Sequence, residues 1–450
     1  MRIVVVGGGF AGLAAAITLQ EHRHEVLLLE RRGLLGGRAT SMRDALSGED
    51  VDNGTHLMIA GYEATLDLIR RAGAEELLQI QDNLRIDYID DRGYSELACP
   101  PLLAPLHLLA GLLGLRVPWS VRWQALRLGL AVRFGPPPHG ITLAEYFRRT
   151  GQGTQARRLL WDPLAIAILN ETPERAAAML FWNVYREAFL ASHSASRLVF
   201  LKRGWGVLHE RLARYFEARG GVIRRRALAE AIEIAEGRVT GVRYSQRAQS
   251  REEIRAGKRA ESKTSPAEAL VSAVPWSALP GLLPLELRSE PPFASAARLT
   301  GSPIVSVEMW LDRVVVDRTM VGLRDSEMEW VFDKGRIFGR QGAPQHLAFI
   351  VSAAWRSAPR PNSELVAAAE AALRRYFPAM REARVTRSLV MREAEATFAP
   401  DPEAEALRPG TRTPIQGLYL AGDWTATGLP ATIEGAVRSG LAAAAAIEAS

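Results

Sequence analysis

The chain opens on an apolar run, Ile-Val-Val-Val at 3–6, that stops at three consecutive glycines. From about 11 to 21 the apolar positions recur with a helical period, and 25–30, Glu-Val-Leu-Leu-Leu-Glu, is a second short buried strand. The region 61–199 reads as largely helical, with 62–78 and 173–190 its clearest segments. A helix starts at Gly204 and ends near Gly220, short strands follow at 222–223 and 237–243, and 269–275 is a buried strand. Between them, 245–265 is rich in Ser, Lys and Arg and reads as a solvated loop. Strands of another sheet are expected at 304–311, 329–332 and 346–355, then a helix over 362–377 opened by an Asn or Ser cap. A strand at 417–421 and an Ala-rich helix after Pro430 close the chain, and no internal repeat is evident.

Chemistry enters at the first turn. Gly7, Gly9 and Gly12 form Gly-x-Gly-x-x-Gly where strand gives way to helix: Gly7 permits the tight turn, Gly9 lets backbone approach a pyrophosphate, and Gly12 lets helix pack on sheet. The helix dipole then favours the phosphates. Glu30 ends the second strand, where a carboxylate accepts ribose hydroxyls. A second glycine pair follows, Gly36-Gly37, with Arg38 beside it. A nicotinamide enzyme has no need of that pair, whereas a flavoprotein folds it back over the same pyrophosphate with Arg38 as the cation. No second Gly-x-Gly-x-x-Gly follows a later strand, so a separate nicotinamide domain is not indicated. At the far end, Gly422-Asp423 after a strand places a carboxylate for ribitol hydroxyls, and the helix after it points its positive end at the flavin edge.

These motifs resemble those of the amine oxidase and phytoene desaturase superfamily of FAD enzymes. The stretches 51–57, 97–109, 160–164 and 170–175 are further similar to the hydroxysqualene dehydroxylase family, flavoproteins of bacterial hopanoid synthesis. The resemblance implies an α/β fold: a Rossmann-like, glutathione-reductase-like FAD domain built from 1–60, 200–290 and 385–450. Interleaved with it is a mixed α+β substrate domain, a helical, membrane-facing region at 61–199 and a sheet and helix at 291–384. It implies further FAD contacts at Phe10, Ala11, Arg31, Asn53, Gly54, Thr55, His56, Thr432, Ile433 and Ala436, with the backbone near Ala229 against adenine. It also implies an apolar isoprenoid substrate, hydroxysqualene reduced to squalene, and contact with upstream squalene-pathway synthases. No metal is expected.

Composition adds a location. With 450 residues and 48% hydrophobic content the chain can bury a core larger than one domain's. A single cysteine, Cys99, rules out an internal disulfide framework and suits a reducing cytoplasm. The apolar run at 3–6 is too short for a signal peptide. From 97 to 144 there is no Asp or Glu, while Arg116, Arg122, Arg127 and Arg133 recur among leucines, Trp119 and Trp123. Its apolar core at 102–115 is too short and too broken by Pro105, Gly111 and Gly114 to span a bilayer. It suits a helix lying in the membrane interface, peripheral on the inner face of the cell membrane, with internal cover for a substrate cavity as the other reading. The net charge of +6 agrees with an acidic surface, and no stacking or reader motif points to nucleic acid.

Reductive loss of an allylic hydroxyl needs a proton for the departing oxygen, stabilisation of positive charge and a hydride. Candidate proton donors are His56, Asp52 and Asp162, with Glu434 also near the expected flavin. Trp161, Trp182, Trp310, Trp330, Phe332 and Trp355 are candidate cation-facing aromatics. The cofactor motifs equally permit a carotenoid or phytoene desaturase, which runs the flavin in the opposite direction, or another oxidase of the superfamily. A membrane-attached flavin-binding scaffold is the non-enzymatic reading.

Overall fold

The computed structural model describes residues 1–246 and 260–450. Strands Arg2–Val6, Glu25–Glu30, Val222–Arg225, Ala269–Ser272 and Leu418–Leu420 form one parallel sheet, with Arg2–Val6 at its centre. Its registers run Val4 beside Leu27 and Leu270, and Val271 beside Tyr419, so segments more than 400 residues apart end at one edge. The central strands are covered on both faces and are near-continuous apolar runs, whereas the edge strand Val222–Arg225 is half-exposed and ends in two arginines. Helix Phe10–Glu21 is buried on almost every side because helix Ile433–Glu448 packs along it, close enough that a Cβ on Gly440 would stand 2.1 Å from the Ala11 carbonyl oxygen.

A seven-stranded mixed sheet carries the second half. Its order is Val385–Phe398, Gly301–Leu311, Gln345–Val351, Trp330–Asp333, Met320–Leu323, Arg85–Asp90, Gly93–Ala98. Two segments depart from the sequence reading. The hairpin 85–98 lies within a region expected to be helical, and Val385–Phe398, expected to begin the last cofactor segment, is instead the edge strand of this sheet, paired along Gly301–Leu311. The charged stretch also differs at its ends. Arg238–Gln246 and Glu261–Pro266 pair antiparallel, and 247–259 lie outside the described residues.

In the chain, helices occupy most of 106–190. Helix Ala178–Val184 continues into a wider π-type stretch, Tyr185–Leu190, and helix Asp162–Leu169 ends at Asn170 in the left-handed conformation. Asn170 ties three elements together: its amide donates to the Ser302 carbonyl at 3.1 Å and the Thr397 hydroxyl at 2.9 Å, and its oxygen accepts from the Ala353 amide at 2.7 Å.

Candidate active site

A cavity of about 500 Å3 runs between the parallel sheet and the mixed sheet. At its closed end the glycine turn does what its spacing requires. Gly7 adopts φ +110°, and a Cβ there would stand 2.6 Å from the Ala273 carbonyl oxygen. Gly12 is the one predicted cofactor position that does not line the cavity. Its role is packing, since a Cβ on it would lie 1.8 Å from the Gly7 oxygen. Gly9 caps helix Phe10–Glu21 without a side-chain acceptor, so the first-turn amides at the cavity wall are left for a ligand. The second glycine pair folds over the first: the Gly36 amide donates to the Gly8 carbonyl at 2.8 Å. A Cβ on Gly37 would stand 3.4 Å from Gly9 Cα. Two facing backbones without side chains make a floor for a pyrophosphate.

Glu30 is buried beside this floor. Its Oε2 accepts from the Gly8 amide at 2.8 Å and its Oε1 from the Arg32 amide at 2.7 Å, which fixes the carboxylate at the cavity wall that Ala229 also lines. Further along, Arg38 Nη2 meets Asp423 Oδ1 at 2.5 Å, and Arg38 Nη1 donates to the Ala396 carbonyl at 3.1 Å. Gly422, Gly54, Arg31 and Asn53 line the same walls. At the far end Thr432 caps helix Ile433–Glu448, accepting from the Gly435 amide at 3.0 Å, with Ile433 and Ala436 beside it at the wall. Thr55 also lines this space, and its buried hydroxyl has no partner within the described residues. Glycine floor, acidic ribose end, open helix terminus and orphaned hydroxyl all fit FAD laid lengthwise.

The expected proton donors separate on inspection. His56 lines the cavity; its Nδ1 donates to the Gly54 carbonyl at 2.8 Å and its ring meets Trp205 edge-on. Burial lowers its pKa, with Lys334 and Arg38 adding to the effect against Asp52. The imidazole is therefore held neutral with Nε2 as an acceptor, which disfavours it as an acid in the resting site. Asp52 does not line the cavity. It is buried against Lys334 in an ion pair and accepts from the Ser41 hydroxyl at 2.5 Å. Asp162 is likewise turned away, clamped by Arg157 at 3.0 and 3.1 Å, while Leu164, Ala167 and Ile168 of the same helix face inward. Glu434 points to the start of helix Glu63–Arg71, accepting from the Ala64 and Thr65 amides at 3.1 and 2.9 Å.

Among the aromatic candidates only Trp330 and Phe332 line the cavity. Trp310 stacks on His346, Trp161 donates to Gln152, Trp182 to the Val132 carbonyl and Trp355 to Glu171. Sequence reading missed Phe189 in the π-type stretch, Tyr62, whose pKa burial raises, and Glu393, which accepts from Asn53 Nδ2 at 3.1 Å. Alternation along Val385–Phe398 would have flagged Met391 and Glu393 on one face, had that segment been recognised as sheet. Behind Trp330, burial pushes the Glu329 carboxyl up to about 7, although the Ser352 amide donates to it at 2.9 Å.

Known proteins are similar to this chain in sequence and fold. The family profile described as flavin containing amine oxidoreductase matches residues 10–448. A hydroxysqualene dehydroxylase of Rhodopseudomonas palustris is 30% identical over 98% of this chain and 96% of its own length. A 15-cis-phytoene desaturase of Narcissus pseudonarcissus is 26% identical over 98% of this chain and 78% of its own. In fold, a crystal structure of an oxidoreductase from Methanosarcina mazei superposes with a TM-score of 0.75 at 17% identity, covering 100% of both chains. The chain belongs to the flavin-containing amine oxidoreductase family and is an FAD-dependent oxidoreductase.

Proposed function

We propose that this enzyme removes the hydroxyl of an apolar isoprenoid allylic alcohol, hydroxysqualene, to give squalene. One observation carries the reading: the far part of the cavity is walled by Ile86, Leu164, Ile168, Phe189, Met320 and Ile350, continuous with the flavin cradle. Among the described residues no carboxylate pair awaits a charged amine there, whereas a long hydrocarbon buries its surface against these walls. The similarity to a hydroxysqualene dehydroxylase over nearly the whole chain supports it. Bound in its reduced form, FAD supplies the hydride. The chain's own part is to exclude water, orient the allylic carbon and manage one proton. Trp330 and Phe332 present ring faces or edges to the carbon that loses its oxygen. The proton for the departing water falls to Glu393, a carboxyl that lines the cavity between cradle and apolar wall.

The expected partners are a membrane surface, which holds such a substrate, and the synthases that make it; the work site is the inner face of the cell membrane. The test is product analysis of the purified, FAD-loaded enzyme given hydroxysqualene with a reductant, and separately phytoene with an acceptor. Squalene in the first reaction and no desaturated product in the second is the expected result. Turnover of phytoene alone would replace this reading with a desaturase, and turnover of neither would leave the isoprenoid assignment refuted.

A further inference from the structure

The acid-free segment forms two helices, Leu106–Gly114 and Trp119–Phe134, and no residue of 97–144 lines the cavity. The second helix is apolar on two opposite faces. Val121, Ala125, Leu128 and Val132 form a buried stripe, packed toward Tyr185–Leu190, and the Trp182 indole donates to the Val132 carbonyl at 3.2 Å. Facing outward at the same helical spacing are Trp119, Trp123, Arg127, Leu130 and Phe134. Trp119 and Trp123 are 67% and 65% exposed, and Phe134 85%. The first helix and the loop before it add Leu103, Leu106 and Leu113, of which Leu103 is 83% exposed. Arg122 joins the helices, donating to the Leu112 and Leu115 carbonyls at 3.1 and 2.9 Å while its guanidinium lies 4.5 Å from the Trp119 ring.

Large apolar side chains on a helix are normally turned inward, yet this helix presents Trp119, Trp123, Leu130 and Phe134 to the outside, interspersed with Arg127 and Arg133. The charges decide between coverings. The segment 97–144 carries arginines and no Asp or Glu, and among the described residues Arg127 and Arg133 have no acidic partner; Glu96, whose backbone adjoins Gly114, is engaged by Arg85 at 2.7 Å. Tryptophan and arginine beside exposed leucine and phenylalanine match the layering of a bilayer, with acyl chains beneath headgroups.

From this charge complementarity we infer that the outer face of these two helices docks the enzyme on a bilayer containing anionic lipid. Leu103, Leu106, Leu113 and Phe134 enter the acyl boundary, Trp119 and Trp123 sit at headgroup level, and Arg127 and Arg133 meet the anionic headgroups. The face lies one layer of side chains from the cavity, because Phe189 of the underlying Tyr185–Leu190 stretch is part of the cavity wall. Docking stands on this surface alone; delivery of a lipid substrate through it deepens the reaction proposed above and rests on that reading.

The test is co-flotation of the FAD-loaded enzyme with vesicles of phosphatidylcholine alone or mixed with phosphatidylglycerol. The wild type should float with the mixed vesicles, less so in high salt. Trp123→Ser with Phe134→Ser should lower binding about tenfold or more. Arg127→Gln with Arg133→Gln should lower it by a similar factor, of order fivefold per arginine, on anionic vesicles and leave binding to neutral ones unchanged. None of the four lines the cavity, so flavin spectrum and turnover of detergent-dispersed substrate should match the wild type and report folding. Wild type that floats with neither vesicle, or variants that float as the wild type does, would overturn the inference. So would a wild-type dimer that Trp123→Ser and Phe134→Ser convert to monomer without affecting vesicle binding, since the face would then be a contact between copies. Absence of squalene with flotation intact would refute the reaction and leave the docking standing.

Discussion

The buried pair of Asp52 and Lys334 separates a structural from a catalytic role for Asp52. Their side chains are 3% and 2% exposed, and the pair bolts the hairpin formed by Ser41–Arg43 and Asp50–Asp52 to the start of helix Lys334–Ile337 in the mixed sheet's layer. Asp52→Asn preserves shape and the bond from Ser41 but leaves a lysine buried without its counter-charge. Breaking one side of such a pair costs about 3–5 kcal/mol, whereas replacing both charges by uncharged groups of similar volume is near neutral. The Phe338 ring, 4.8 Å from Lys334 Nζ, offsets only a small part of the loss. Urea unfolding followed by tryptophan fluorescence should show a large fall in midpoint for Asp52→Asn, and Asp52→Asn with Lys334→Met should recover at least half of it. Turnover per bound flavin should recover with it. A proton donor behaves otherwise: Asp52→Asn would keep its midpoint and lose turnover, and adding Lys334→Met would not restore turnover. That pattern would refute the structural assignment.

Glu30→Ala removes the acceptor of the Gly8 amide at the glycine turn and of the Arg32 amide in the loop after the second strand, and should weaken FAD rebinding to apoenzyme by about a hundredfold, near 3 kcal/mol for two bonds to a charged group, read by flavin fluorescence quenching. Asp162→Asn loosens a partly exposed pair with Arg157, so it should cost no more than about 1 kcal/mol and leave turnover within about twofold. Glu329 supplies a pH signature. Its folded pKa, about 7, lies above the ordinary 4.5, so the fold favours the protonated form; that stability is complete below pH 4.5 and is lost as pH rises through 7. Glu329→Gln should therefore melt with the wild type at pH 4.5 and above it at pH 8, by the equivalent of about 3 kcal/mol. Parallel melting curves across that range would contradict the burial argument.

What was legible in the sequence was local. The glycine turn, Glu30, the Gly36-Gly37-Arg38 loop and the capped last helix are each defined within a few residues by backbone requirements that few side chains meet, and each lies on one cavity. Pairing across distance was not legible. Asp52 and Lys334 are 282 residues apart, so a carboxylate in a cofactor-like motif looked available for proton transfer when its charge was already committed. Hairpin 85–98 and strand Val385–Phe398 owe their place to partners elsewhere in the mixed sheet, with long-range register rather than composition deciding it. The aromatics show the same limit: Trp310 and Trp330 lie on strands of one sheet, yet only Trp330 faces the cavity. The Asn or Ser cap expected near 362 is absent, because Pro361 occupies that position and Asn362 instead accepts from Arg392 at 2.6 Å.

The most direct test of the central claim is an anaerobic single turnover. Enzyme with its FAD fully reduced is mixed with hydroxysqualene in detergent, and flavin absorbance and squalene are followed in the same sample. The account predicts one squalene formed per flavin reoxidised, with both absent when the substrate is omitted. Flavin that stays reduced while hydroxysqualene is recovered intact would contradict it.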